Sequence, residues 1–203
     1  MNKIEIYLLN IETFHQVNTL INWNTNLNKE VNSEIQLAFI ECYKPYHKQL
    51  NLYCLALSKS EDDAKDLMGN TLEIAFKKFE TLKDRAKFKY FIFGIASKIT
   101  NNERRKWSNK IFVSDSNLNQ QISSTQDSEQ SADYYFLHQA LQKLKQNTRE
   151  AIVLFELEGF SIKEIAEIQN TNENTIKTRL GRGRAELKAL LNPISNYQNA
   201  VIK

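Results

Sequence analysis

The sequence predicts an all-α fold of two helical domains joined by a flexible acidic linker, with a helix-turn-helix in the C-terminal domain. Only five glycines and two prolines occur in 203 residues, which favours long helices over a many-turned β fold. Over most of the chain, apolar residues recur at steps of three or four, the period of an amphipathic helix. One polar, acidic segment breaks that pattern and divides the chain into two helical parts.

Residues 1–32 form an N-terminal extension in this scheme, and the sequence does not decide its secondary structure. The front helical domain spans 33–110. Its first helical stretch contains Pro45, which is expected to kink the helix or split it in two. A second stretch follows Ser60, whose hydroxyl is expected to cap it with Asp63 three residues later. A third stretch begins near Phe88 and ends in a basic cluster.

Residues 111–133 are predicted to be the flexible linker. The part from Val113 to Asp133 holds four acidic residues and no lysine or arginine, a net charge of −4, with only three large apolar residues. Such a segment cannot bury enough surface to offset the entropy lost on ordering. The alternative is an acidic solvated loop with no particular function.

The back helical domain is predicted at 134–192, followed by a C-terminal tail at 193–203. Asn147 is expected to cap one of its helices, and Gly159 is expected to end that helix. Ser161 and Glu164 form a capping box for the next helix. These signals make the back half a set of short helices that ends in a longer one.

A helix-turn-helix is predicted where Ala166, Asn170 and Ile176 follow one another. A small residue suits a close helix crossing, an asparagine tolerates the left-handed turn, and an apolar residue fills the core. The second helix carries a polar and basic face, and from Glu173 to Leu191 its charge is five basic minus two acidic residues. Its candidate DNA-binding residues are Thr175, Lys177, Thr178, Arg179, Arg182 and Arg184.

Two glycines interrupt this second helix, and each weakens a helix by about 1 kcal/mol relative to alanine. Gly181 is interpreted as a position where the helix backbone approaches DNA closely. The alternative is that Gly181 and Gly183 are tolerated surface residues and that the basic run is a solvated face.

A second basic patch lies at the end of the front domain, close behind several aromatic residues. Basic groups beside rings suit unstacked single-stranded nucleic acid, because rings stack on bases and cations neutralise phosphates. The alternative, favoured for the apolar residues, is that these rings belong to the core. The candidate residues are Phe91, Lys98, Arg104 and Arg105.

No catalytic or metal-binding pattern competes with these patches. His15, His47 and His138 lie far apart without partners at ligand spacing, so no metal, no cofactor and no enzymatic activity are expected. Cys42 and Cys54 are interpreted as reduced, buried thiols of a cytoplasmic protein. No apolar run approaches the ~20 residues of a membrane span, so no direct membrane insertion is expected.

The two halves, in this order, resemble the extracytoplasmic-function (ECF) class of sigma-70 RNA polymerase sigma factors. The resemblance rests on three stretches: DDAKDLMGNTLEIAFKKF, FKYFIFGIASKITNNERRK, and the segment from Arg149 to Leu191. It implies that the front domain binds core RNA polymerase and reads and melts the −10 promoter element. It implies that the back domain reads the −35 element in promoter DNA. It also implies an anti-sigma factor as a partner.

The resemblance assigns roles to individual residues. It implies that Asp63, Asp66 and Leu67 bind the polymerase. It implies that Thr178, Arg179 and Arg182 contact the bases of the −35 element, and that Lys177 and Arg184 contact phosphates. The −10 element falls to Lys98, Asn102, Arg104 and Arg105, and Phe91 stands where the family commonly has tryptophan.

Three functions remain open from the sequence. The first is a sigma factor. The second is a free-standing helix-turn-helix regulator that does not bind polymerase. The third is an interaction protein that has lost DNA binding, and Gly69 and Asn70, which stand where the family usually has Gln-Glu, keep it open.

Overall fold

The computed structural model describes the backbone of residues 29–110 and 130–201, and the side chains of residues 34–102 and 135–191. Every regular element within these ranges is a helix, which confirms the predicted all-α fold. In the described part of the chain, no helix is both long enough and apolar enough to cross a membrane. The predicted linker lies outside the described backbone up to residue 129, as do residues 1–28 of the predicted extension.

In the described part of each half, the last helix is the longest. The front half consists of α1 (Lys29–Tyr43), α2 (His47–Leu57), α3 (Glu61–Lys77) and α4 (Phe88–Lys110). The back half consists of α5 (Gln130–Lys143), α6 (Gln146–Ile152), α7 (Ile162–Ile168) and α8 (Glu173–Val201). A π-helical stretch, Val153–Leu157, continues α6. Helix α5 begins before residue 134, and α8 runs past residue 192, the two predicted limits of the back domain.

Local sequence signals account for several of these ends. Pro45 lies in a 3₁₀ turn, Lys44–Tyr46, that separates α1 from α2, so the apolar stretch is split as predicted. Ser60 caps α3 by accepting from Asp63 N at 3.1 Å. The predicted cap at Asn147 is wrong, because α6 starts at Gln146 after Lys145 and has no side-chain cap. Asn147 instead offers its carbonyl oxygen to Gln169 Nε2 at 3.0 Å.

The front half is built around packed aromatic rings. Phe39 on α1 is fully buried, and its ring centroid lies 5.2–5.6 Å from those of Phe76, Phe79 and Phe88 in edge-on contacts. Edge-on contacts between rings add a favourable electrostatic interaction to the stabilisation that comes from burying their apolar surface. Helices α1, α3 and α4 are thereby fixed to one another, and the Arg85 guanidinium lies 3.8 Å from the centre of the Phe79 ring.

The back half packs α8 against α6 and α7 through aliphatic side chains. Ile152, Ile165 and Ile176 are each at most 4% exposed. A Cβ placed on Gly183 would lie 2.8 Å from Ile152 Cγ1 and 2.9 Å from Thr148 Cγ2. Gly183 is therefore a close-packing residue between α8 and α6, and its interpretation as a surface residue is wrong. A Cβ placed on Gly181 would meet no such neighbouring atom within 4 Å.

The two halves also pack against each other, at the C-terminal end of α2. The last four carbonyl groups of a helix have no partner inside it. Here Gln142 Nε2 donates to Ala56 O at 3.2 Å and to Ser58 O at 2.7 Å. Arg149 Nη1 lies 3.4 Å from Leu57 O. Side chains of the back half thus supply hydrogen-bond donors for carbonyl groups at the C-terminal end of α2.

Candidate nucleic-acid interface

The helix-turn-helix consists of α7, a tight turn and the start of α8. Ser161 and Glu164 form the complete capping box at the start of α7, as predicted. Asn170 has φ +48°, the left-handed conformation predicted for it. Thr171 N donates to Ala166 O at 2.9 Å, which closes the turn over the small residue.

Asn172 then starts the second helix of the motif. Its Oδ1 accepts from Thr175 N at 2.8 Å, which satisfies one of the free amide groups of the first turn. Ile176 is fully buried, so it fills the core as its spacing predicted. The turn and the cap together fix the direction in which α8 leaves the motif.

A cleft of about 620 Å³ lies between the start of α8 and the start of α6. Four of the six DNA-binding candidates line it: Thr175, Thr178, Arg179 and Arg182. The opposite wall comes from residues 145–148, where α6 begins without a side-chain cap. At this start, Thr148 N donates to Lys145 O at 2.8 Å.

The other two candidates on α8 do not line the cleft. Lys177 is exposed, and it lies seven residues, about two turns, from Arg184 on the same side of the helix. Arg184 Nε donates to Glu156 Oε1 at 2.7 Å, and its guanidinium lies 5.2 Å from the centre of the Phe155 ring. The basic residues of α8 therefore divide between the cleft and a flank.

Arg179 differs from the neighbouring cations because it is only partly exposed. Its Nη1 donates to Gln169 Oε1, and Gln169 Nε2 donates to Glu150 Oε2 at 2.7 Å. Glu150 Oε1 in turn accepts from the Tyr53 hydroxyl of α2 at 2.9 Å. Burial raises the pKa of Glu150, while hydrogen bonds from Ser97, Tyr53 and Gln169 act in the opposite direction.

Sequence reasoning missed Glu150 and Gln169 as parts of this site. A signal for Glu150 was present, because it is followed at three and four residues by Val153 and Leu154, all on one buried face. A glutamate on an apolar helix face requires a polar partner from elsewhere in the fold. No comparable signal existed for Gln169, which ends α7 at the turn.

The front-half candidates lie along α4. Phe91, Lys98, Asn102 and Arg105 follow one another at seven, four and three residues, which places them on one side of the helix. Phe91 is partly exposed, and Lys98 and Asn102 are exposed. Arg104 and Arg105 belong to the helix, but their side chains lie outside the described residues.

The polymerase-binding candidates lie on α3. Asp63 and Asp66 are exposed, whereas Leu67 is only 5% exposed and belongs to the core. All three line a cavity of about 520 Å³ that Gln146 and Arg149 of the back half also line. In this arrangement the back half stands beside the acidic side of α3.

A family model described as "Sigma-70, region 4" matches residues 137–187, which include the helix-turn-helix. The chain is 33% identical over 141 residues to the RNA polymerase sigma factor SigV of Bacillus subtilis (strain 168), covering 67% of this chain and 81% of SigV. It is 28% identical over 142 residues to the ECF RNA polymerase sigma factor EcfG of Rhodopseudomonas palustris (strain TIE-1), covering 70% of this chain and 78% of EcfG.

Solved structures show the same fold. The sigma factor RpoE, in its co-crystal structure with the anti-sigma factor NepR from Bartonella quintana, is 27% identical with a TM-score of 0.62. That match covers 81% of this chain and 98% of RpoE. CnrH, solved with the cytosolic domain of CnrY, is 20% identical with a TM-score of 0.56, covering 88% of this chain and 96% of CnrH, and supports the fold alone. The chain belongs to the sigma-70 family of RNA polymerase sigma factors, in the extracytoplasmic-function class.

Proposed function

We propose that this sigma factor reads the −35 element of a promoter with the cleft between α8 and α6. The supporting observation is that Thr178, Arg179 and Arg182 line one cleft with the uncapped start of α6. Arginine pairs bidentately with guanine in the major groove, and threonine contacts a thymine methyl group or a base edge.

Lys177 and Arg184 add phosphate contacts on the flank of α8. The pair between Arg184 and Glu156 is about half exposed, with side chains 53% and 43% accessible. Exposed ion pairs contribute little to stability, so Arg184 can exchange its partner for a phosphate at small cost. These contacts supply affinity without sequence information.

The −10 element falls to the side of α4 that carries Phe91, Lys98, Asn102 and Arg105, together with Arg104. A partly exposed ring on the same side of a helix as a lysine suits bases that have left the duplex, because the ring stacks and the cation neutralises phosphates. Extruding a base costs a few kcal/mol, which these contacts must offset. The front half therefore acts on melted DNA and the back half on duplex DNA.

Core RNA polymerase is the proposed partner of Asp63, Asp66 and Leu67 on α3. The chain performs no chemistry itself in this scheme, and RNA synthesis belongs to the polymerase. We place a front domain at 33–110 and a back domain at 134–192, joined by the linker at 111–133. An anti-sigma protein is a further proposed partner, by analogy with the RpoE–NepR pair. The site of action is the cytoplasm.

In vitro run-off transcription tests this function. Core polymerase from the source organism is mixed with this protein and fragmented genomic DNA, and the transcripts are mapped. We expect discrete start sites that are absent without the protein. The double variant Asp63→Asn and Asp66→Asn should lower their yield while leaving DNA binding by the back half intact.

Two other results would contradict the proposal. Selective DNA binding without transcripts, and without co-elution with core polymerase, would leave a free-standing regulator. Absence of both selective DNA binding and transcription with the unaltered, folded chain would indicate an interaction protein.

A further inference from the structure

We propose that Thr178 recognises a thymine of the −35 element through its methyl group, and that its hydroxyl takes no part in reading the base. This inference rests on the proposed role of α8 in reading that element, and it names a base that the element must contain. Thr178 is exposed and lines the cleft together with Thr175 and Arg182. Its side chain has two groups with which it can meet a base, a hydroxyl and a methyl.

The hydroxyl of Thr178 is already bonded within α8. Thr178 Oγ1 lies 2.9 Å from Asn174 O, about one turn earlier in the helix. A carbonyl oxygen only accepts hydrogen bonds, so the hydroxyl donates its single hydrogen to it. No hydroxyl hydrogen is then left for a base, and the methyl group is the contact that Thr178 offers.

The other threonine that α8 contributes to the cleft has the same arrangement. Thr175 Oγ1 lies 2.9 Å from Asn172 Oδ1, and Thr175 N donates to that atom at 2.8 Å. Because a backbone N–H donates to it, the atom is the acceptor oxygen of the Asn172 amide, and the Thr175 hydroxyl must donate to it as well. Thr175 and Thr178 are three residues apart, so they share one side of α8. Neither has a hydroxyl hydrogen left for a base.

A methyl contact selects one base, whereas a hydroxyl donor does not. In the major groove the C5-methyl group belongs to thymine alone, but guanine, adenine and thymine all present hydrogen-bond acceptors. Turning the Thr178 hydroxyl toward a base would also break its bond to Asn174 O, so one hydrogen bond would only replace another. Packing the methyl group against a thymine removes apolar surface from water without that loss.

Two substitutions separate the methyl group from the hydroxyl. Thr178→Ser keeps the hydroxyl and lacks the methyl, whereas Thr178→Val keeps the branched shape and lacks the hydroxyl. Binding of the full chain is measured on a duplex that carries the −35 element found by transcript mapping. Thr178→Ser should weaken binding about fourfold, the effect of one buried methyl group. Thr178→Val should change it by less than about twofold, because valine has the same branching and a similar helix propensity.

The DNA can carry the matching change. Each thymine of the element is replaced in turn by deoxyuridine, which forms the same base pair but lacks the C5-methyl group. With the unaltered chain, at least one replacement should weaken binding about fourfold. That replacement should cause no further loss with Thr178→Ser and the full loss with Thr178→Val.

Thr81 provides a matched control in the front half. It is an exposed threonine outside the cleft, and its Oγ1 donates to Lys78 O at 2.6 Å. Thr81→Ser and Thr81→Val make the same chemical changes and should leave binding to this duplex unaltered. Losses at Thr81 equal to those at Thr178 would show a general effect of the substitutions and overturn the proposal.

Other results would also overturn it. A loss with Thr178→Val but not with Thr178→Ser would assign recognition to the hydroxyl. Binding that no deoxyuridine replacement alters, or that the same replacement weakens equally in the unaltered chain and in Thr178→Ser, would exclude a contact between the two methyl groups.

The failure of the proposed function gives a different result. An unaltered chain that binds the −35 duplex and a scrambled duplex equally would remove the −35 role, and this inference with it. Selective binding that Arg182→Ala weakens, but that shows no dependence on the methyl groups, would leave the function intact and remove only the thymine contact.

Discussion

The two halves satisfy their buried polar groups in different ways. In the front half two buried threonine hydroxyls bond within their own helices, with Thr71 Oγ1 donating to Leu67 O at 2.7 Å and Thr100 Oγ1 to Ala96 O at 2.9 Å. Four polar residues of the described back half are buried: His138, Arg149, Glu150 and Glu158. Three of them contact the front half through their side chains: His138 lies beside Leu55 O, Arg149 beside Leu57 O, and Glu150 accepts from the Tyr53 hydroxyl. Lys89 Nζ donates to the backbone carbonyl oxygen of Glu158.

Because of this difference, the stability of the back half depends more on the contact between halves than the stability of the front half does. A buried charge without partners is far more costly than a buried hydroxyl that bonds to its own helix. When the halves separate, the front half loses the acceptor of the Tyr53 hydroxyl, whereas the back half loses partners of Arg149 and Glu150. Domain docking in this sigma factor thus has a polar, directional component as well as apolar contact.

The largest effect is expected from Arg149→Met. Arg149 donates to Gln142 O at 3.0 Å and Leu144 O at 3.3 Å in the back half, besides Leu57 O in the front half. Burial lowers its pKa to about 10, so it stays charged at neutral pH. Losing these charge-assisted bonds should reduce the free energy of unfolding by about 3 kcal/mol. Chemical denaturation measures this quantity.

The control for that variant is Arg184→Met in the same half. Arg184 is exposed and pairs with Glu156 at the surface, so its loss should cost less than about 1 kcal/mol. Equal losses for both arginines would mean that docking has no special electrostatic requirement.

A smaller effect, which depends on pH, is expected at Glu158. Burial raises the pKa of Glu158 to about 7, and Lys89 acts in the opposite direction. Because the folded pKa exceeds the unfolded one, the ionised form disfavours folding, and stability is lost as pH rises toward and through 7. Glu158→Gln should remove this loss and raise the free energy of unfolding at pH 8 by roughly 2 kcal/mol.

The measurement is denaturation of both proteins at pH 5 and pH 8. At pH 5 the two should differ little, because the glutamate is then largely protonated in the folded state. Glu150 titrates in the same direction, since burial raises its pKa too, so the variant keeps part of the dependence. A pH profile identical to that of the unaltered chain would exclude Glu158 as its source.

The sequence predicted the helices and the helix-turn-helix because those depend on short, periodic spacing. Ala166, Asn170 and Ile176 lie within eleven residues, and each has the environment that its spacing predicted. The bond between Tyr53 and Glu150 joins residues 97 positions apart, and no period relates them. The docking of the halves was therefore beyond sequence reasoning.

The smallest effect is expected at the two glycines of α8, which the sequence could not tell apart. Gly183→Ala places a Cβ 2.8 Å from Ile152 Cγ1, so α8 and α6 must move apart or Ile152 must shift. Overpacking costs about 1–3 kcal/mol, and the gain of about 1 kcal/mol in helix propensity leaves a net loss of roughly 1 kcal/mol.

In Gly181→Ala the added Cβ meets no neighbouring atom within 4 Å, so the substitution should stabilise the fold by up to about 1 kcal/mol. Thermal unfolding of the two variants should therefore shift in opposite directions. If Gly181→Ala also weakens binding to −35 DNA while stabilising the fold, then Gly181 serves the approach of α8 to DNA, whereas Gly183 serves its packing on α6.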